Sequence, residues 1–176
     1  GFEFQLKGGT SLSKGFKIID RFSEDIDLHI KPSADRKVNE NPNSTKAGAV
    51  QSRKYYYDWL AQNIQIEGIT SIERDTAFDD EQHYRSGGIR LFYKSVLQPL
   101  EGLKEGVLLE VGFDTVTPNK PLIISSWAFD RAASTPGISI TDNRAIDVLC
   151  YDPGFTFVEK LQTIATKFRQ EQETGK

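Results

Sequence analysis

The sequence predicts an α/β (α+β) fold, a mixed β-sheet flanked by helices, and three observations carry that prediction. Apolar and polar residues alternate over 2–7 and again over 25–30, the period of half-buried strands. Apolar residues recur at helical spacing over about 52–64 and over 157–168, the stripe of an amphipathic helix. Between them, segments at about 69–75, 89–96 and 107–113 are strand-like and joined by glycine-containing stretches, the pattern of an antiparallel meander. A length of 176 residues suits one core domain, 1–176, with a polar loop or insertion at about 31–46.

Each element has a local cause. Phe2-Glu3-Phe4-Gln5-Leu6-Lys7 is a short strand, broken by Gly8-Gly9. Thr10 is placed to cap a helix with Leu12, Phe16 and Ile19 on one face. A second strand runs from Asp25 to Ile30, and residues 31–46 hold two Pro, three Asn and almost nothing apolar, hence a surface loop. In the next helix, about Ser52 to Ile64, Tyr56, Leu60 and Ile64 share a face. Tyr55, Tyr57 and Trp59 beside Arg53 and Lys54 are either stacking groups for bases or, more simply, core and its flanks. Residues 117–143 are Pro-punctuated and give no clear element. A strand from Ala145 to Cys150 ends at Asp152-Pro153-Gly154. In the last helix Thr156 and Glu159 have capping-box spacing, and Phe157, Leu161, Ile164, Ala165 and Phe168 line one face.

Composition excludes several classes. No apolar run reaches the roughly 18 residues of a spanning helix, and no secretory signal pattern opens the chain. The single Cys150 cannot form an internal disulfide, which fits a reducing cytoplasm. With 22 Lys and Arg against 25 Asp and Glu, the net charge is −3, so a nucleic-acid partner must use a local basic patch. Lys14, Lys17, Arg21, Lys160, Lys167 and Arg169 are the candidates. The chain starts at Gly1 and has no Met, so residue 1 is not a natural start.

The chemistry concentrates in Asp25-Ile26-Asp27-Leu28-His29-Ile30. The strand period sends Ile26, Leu28 and Ile30 to one face and both aspartates, with His29, to the other. Two carboxylates so placed can share a pair of Mg²⁺ ions about 4 Å apart; the plain alternative is a solvated acidic face. His29 reads as a hydrogen-bonded neighbour. Gly8-Gly9-Thr10-Ser11, between a strand and a helix, offers free backbone N–H groups to nucleotide phosphates; taken alone it is only a tight turn. Glu110 points away from the apolar face made by residues 107, 109, 111 and 113. It is either a metal-bound acid or an edge-strand residue in water. Lys160 flanks the apolar stripe of the last helix, where it can reach a triphosphate or simply snorkel.

Leu6-Lys7-Gly8-Gly9-Thr10-Ser11-Leu12-Ser13-Lys14 followed by Arg21-Phe22-Ser23-Glu24-Asp25-Ile26-Asp27-Leu28 resembles the AbiEii/AbiGii-type nucleotidyltransferase toxins, of the DNA polymerase β-like nucleotidyltransferase superfamily. Val158-Glu159-Lys160-Leu161 is similar to that family's lysine motif. The resemblance implies a mixed-sheet nucleotidyltransferase core. In it, Gly8, Gly9, Thr10 and Ser11 bind nucleotide phosphates. Asp25, Asp27 and, as the superfamily's third acid, Glu110 ligate Mg²⁺, or Mn²⁺ in its place. Lys160 contacts the phosphates, and Arg21 and Ser23 support the acidic strand. Gly9-Thr10 departs from the superfamily's usual Gly-Ser turn, and the family's further acidic motif would fall beyond Lys176. Hence the expectation of a catalytic core cut from a longer chain.

The expected function is NTP-dependent, Mg-assisted transfer of a nucleoside monophosphate to a hydroxyl acceptor. The resemblance points to tRNA or another RNA as acceptor, to the toxin of a bacterial toxin–antitoxin or phage-abortive system, and to a cognate antitoxin as partner; the lack of a spanning apolar run gives the expectation of no membrane. The alternatives are an enzyme that nucleotidylates a protein and a catalytically silent nucleotide- or RNA-binding module.

Overall fold

Alternation places the first two strands side by side: β1 (Phe4–Lys7) and β2 (Asp25–Ile30) pair antiparallel, with Leu6 opposite Leu28. The computed structural model describes residues 2–21, 23, 25–96 and 104–175. Phe22 and Glu24 of the acidic-strand motif, and Gly102 in the glycine-containing stretch expected between the 89–96 and 107–113 segments, lie outside the described residues. After β1 comes α1 (Gly8–Thr10), which widens into a π-helical turn over Ser11–Gly15. After β2 follow α2 (Ala47–Asn63), β3 (Ile69–Asp75), β4 (Ser86–Tyr93), β5 (Val107–Gly112), β6 (Asn119–Ile124), α3 (Trp127–Ala133), β7 (Ala145–Tyr151) and α4 (Pro153–Thr174). The described strands form one mixed sheet in the order β3-β4-β5-β2-β1-β7-β6, with β2–β5 and β1–β7 parallel. The expected meander is β3-β4-β5, antiparallel throughout.

One face of the sheet is the core. Leu6, Leu28, Ile30, Ile89, Leu91, Leu109, Val111 and Cys150 are buried there. α2 covers it with Tyr56, Tyr57, Leu60 and Ile64, so Tyr56 and Tyr57 are core rather than base-stacking groups. Gly87 allows this approach, since a Cβ there would lie 2.7 Å from the Tyr57 ring. Tyr55 is exposed.

Arg53 is fully buried and donates to the carbonyls of Asn41 (3.0 Å), Ser44 (2.9 Å) and His83 (2.7 Å). One guanidinium thus fastens the polar 31–46 loop and the 79–85 segment to α2. Only a planar fork of donors satisfies these carbonyls together. Arg53→Lys should therefore lower stability by about 2–4 kcal/mol, or roughly 4–16 °C in melting temperature. An unchanged melting curve would contradict this role.

Three expectations are corrected. Thr10 is not a helix cap: the helix begins at Gly8, and its N-cap is Lys7, with no capping side chain. The segment ends at Gly15 rather than running through Ile19, because the Ser11 and Ser13 hydroxyls donate to carbonyls three residues back and compete with a regular helix. The cap of α4 is Asp152, whose carboxylate accepts the Gly154 N–H at 2.9 Å, with Pro153 at the first helical position. Thr156 then sits inside the first turn, and Glu159 accepts a hydrogen bond from the Tyr151 hydroxyl instead of closing a capping box. Beyond that anchor, the apolar stripe of Phe157, Leu161, Ile164 and Phe168 is exposed.

Candidate nucleotidyl-transfer site

The other face of the central strands is polar. Lys7 stands opposite Asp27, Asp27 opposite Glu110, and Glu110 opposite Gly88, one cross-strand row over β1, β2, β5 and β4. Directly paired residues share a face, so strand register alone gathers residues far apart in sequence. Asp25 joins them two positions before Asp27. One carboxylate oxygen from each of Asp25, Asp27 and Glu110 lies within 4.8 Å of the other two. β5 is interior to the sheet, which removes the reading of Glu110 as an edge residue in water.

This proximity is electrostatically costly. Burial, then the Asp25 charge, pushes the Asp27 carboxyl above its ordinary value. Burial, then Asp27 and Asp25, does the same to Glu110. A group whose folded-state pKa is raised destabilises the fold as pH climbs from the unfolded value through the folded one. Glu110→Gln should therefore melt above wild type at pH 8 in chelator, and the gap should close as pH falls to about 4. A gap independent of pH would contradict the repulsion. The same repulsion makes the trio a fit for a hard divalent cation, which takes oxygen ligands and would neutralise them.

The glycine turn follows from the acids. Gly8 has φ +66°, and a Cβ on it would collide with the Asp27 carboxylate. Gly9 abuts Arg21, whose Nη2 would lie 2.6 Å from an added Cβ. Thr10 Oγ1 donates to the Asp25 carbonyl at 2.8 Å, and Ser11 Oγ donates to the Gly8 carbonyl at 2.9 Å. These hydroxyls brace the turn, leaving backbone N–H groups at the uncapped helix start for an anion. Ser23 Oγ donates to Asp25 Oδ1 at 3.0 Å, and the Arg21 charge pulls the Asp27 carboxyl down, so both act on the acidic strand. Lys160 is exposed on α4, and its charge is felt by both Asp27 and Glu110.

Lys7 was missed as a site residue. Its ammonium is mostly buried, pairs with Asp114 at 2.8 Å and pulls the Asp27 and Glu110 carboxyls down. Burial lowers its own pKa, but Asp114 and then Asp27 outweigh that and raise it. The signal was present: the alternation that turns Leu6 inward turns Lys7 onto the acids' face. His29 also lies on this face, with its ring edge-on to Phe113 and Nδ1 buried without a partner among the described residues. Burial holds its pKa below the usual imidazole value.

The basic candidates converge only in part. Lys14 and Arg21 line a cleft beside Asp25, whereas Lys17 pairs with Asp130 at 3.3 Å. Lys167 and Arg169 lie far along α4.

A family model described as nucleotidyl transferase AbiEii toxin, type IV TA system, matches residues 3–176. The chain belongs to the AbiEii family. Its mixed sheet is in keeping with the nucleotidyltransferase core expected of an AbiEii protein. No curated protein and no solved structure is matched by this AbiEii chain. Among the described residues, no helix is long and apolar enough to cross a membrane.

Proposed function

We propose that residues 1–176 act as one nucleotidyltransferase core that moves a nucleoside monophosphate from an NTP to an RNA hydroxyl, tRNA being the acceptor the family resemblance favours. The observation that carries this reading is the convergence of three carboxylates within 4.8 Å beside an uncapped glycine turn. Asp25, Asp27 and Glu110 would hold Mg²⁺ or Mn²⁺. When bound there, such a cation polarises the α-phosphate and favours ionisation of the attacking hydroxyl.

The chain's own residues do the positioning. Backbone N–H groups of Gly8, Gly9 and Thr10 receive the β- and γ-phosphates, with Ser11 bracing the turn from within. Lys160 approaches the triphosphate from α4 and offsets charge gathering on the leaving group. Lys7 sits between Asp27 and Asp114 and keeps the acid row from repelling itself apart. The acceptor oxygen attacks the α-phosphorus in line, the bond from that phosphorus to the bridging oxygen breaks, pyrophosphate departs with the electron pair, and the hydroxyl proton passes to water. In a bacterial cytoplasm this activity would make the protein a toxin held in check by a cognate antitoxin.

The test is incubation with each labelled NTP, total cellular RNA and Mg²⁺, followed by RNase or protease. Label lost to RNase alone is the expected result. Label lost only to protease would move the acceptor to protein, and no Mg²⁺-dependent labelling would overturn the enzyme reading.

A further inference from the structure

Behind the acid row, on the other face of the sheet, lies an ion pair that no step of the transfer uses. Arg74 of β3 stands opposite the buried Ile89 of β4 and so shares the core face with α2. Its guanidinium holds three parts of the chain at once. Nε donates to Asp58 of α2 at 3.0 Å, Nη2 donates to both carboxylate oxygens of Asp79 at 2.8 and 2.7 Å, and Nη1 donates to the Gly88 carbonyl of β4. Asp79 Oδ1 also accepts the Gly88 N–H at 3.2 Å. The Asp79 side chain is 4% exposed, the most enclosed carboxylate among the ion pairs of the described residues.

A pair so enclosed gains little stability over an apolar replacement, so its consequence lies in what it positions. A strand residue aims its N–H and carbonyl at the same edge. Both groups of Gly88 therefore face β3, and neither bonds Glu110, the residue directly opposite on β5. β3 ends at Asp75, and the 3-10 turn over Thr76–Phe78 folds back onto Gly88. A Cβ on Gly88 would collide with the Asp75 carbonyl oxygen and lie 2.8 Å from Phe78 Cβ. Opposite residues share a face, so this turn lies on the side that carries the Glu110 carboxylate. Arg74 and Asp79 thus set, from the far side of the sheet, where β4 and the turn sit beside Glu110. A lysine is a single point charge and cannot fork to Asp58, Asp79 and the Gly88 carbonyl together. We propose that Arg74 and Asp79 are positioning residues for the third acid: by clamping Gly88 they hold Glu110 where its carboxylate comes within 4.8 Å of those of Asp25 and Asp27. The proposal rests on the acid-site reading above.

The probe is Mn²⁺ alone, followed by loss of its free-ion EPR signal on titration into the protein without nucleotide. Wild type should bind it saturably, and Glu110→Gln should weaken binding. Arg74→Lys should weaken binding roughly tenfold, the low end of what losing a group behind a metal ligand costs. In a chain already carrying Glu110→Gln, Arg74→Lys should weaken it no further, since both act through one carboxylate. Asp58→Asn removes one contact of the guanidinium at a partly exposed position. It should give a smaller loss with the same coupling, and it decides the matter alone where Arg74→Lys does not fold. Arg53→Lys is the comparison, the same change at a buried arginine that holds loops rather than β4; it should melt lower and keep wild-type Mn²⁺ affinity. Wild-type affinity in the folded Arg74 and Asp58 variants, additive losses with Glu110→Gln, or an equal loss in Arg53→Lys would each overturn the clamp while leaving the acid site standing. No saturable Mn²⁺ binding by wild type would overturn the acid site and the clamp with it.

Discussion

Replacing Asp25 and Asp27 together by Asn is expected to lower transfer of labelled nucleotide by roughly 10³-fold or more, because preorganised charge at the reacting phosphate is the largest contribution such a site makes. The protein should nevertheless fold. Asp27 is held above its ordinary pKa by burial and by Asp25, so removing both charges relieves repulsion, and the variant should melt at or above wild type in chelator at neutral pH. Loss of rate with gain of stability is a signature that a merely structural acidic pair would not give. Undiminished transfer by the double variant, measured as incorporated label per unit time, would sink the assignment of these residues.

Gly8→Ala is the second large effect. The position demands a positive φ of +66°, which costs a residue with a Cβ about 1–2 kcal/mol, and the new methyl would occupy the place of the Asp27 carboxylate. The acid must move, and a displacement near 1 Å at a catalytic group costs on the order of 10²-fold in rate. Gly9→Ala is the control: its conflict is with the far end of the Arg21 side chain, which can swing away, so its loss should be much smaller. Equal activities for the two variants would show that the glycine pair is a tight turn and nothing more.

Much of this was legible because strands announce themselves locally. The bounds of β2 follow from period-two alternation and those of β3 from a strand-like run that starts just after Gly68, and Asp25, Asp27 and Glu110 were each visible as polar residues on the far side of an apolar strand face. That they meet was not legible from the residues alone, since it depends on the parallel register of β2 with β5. β6 was hidden by Pro121, tolerable because β6 lies at the sheet edge. α3 carried an overlooked signal, Ser126, whose side chain accepts the Phe129 N–H. Composition pointed to Arg53 as a possible base neighbour, yet its partners are loop carbonyls that no spacing rule anticipates. The amphipathic face of α4 was read correctly as a stripe, but amphipathicity says nothing of what covers it, and here the stripe is exposed.

The most direct test of the acid row is calorimetric titration of Mg²⁺ into the protein with a non-hydrolysable NTP present. Wild type should bind the cation and nucleotide together, each strengthening the other, and Asp25→Asn with Asp27→Asn should give no saturable heat. Equal, saturable Mg²⁺-dependent nucleotide binding by wild type and variant would contradict the account.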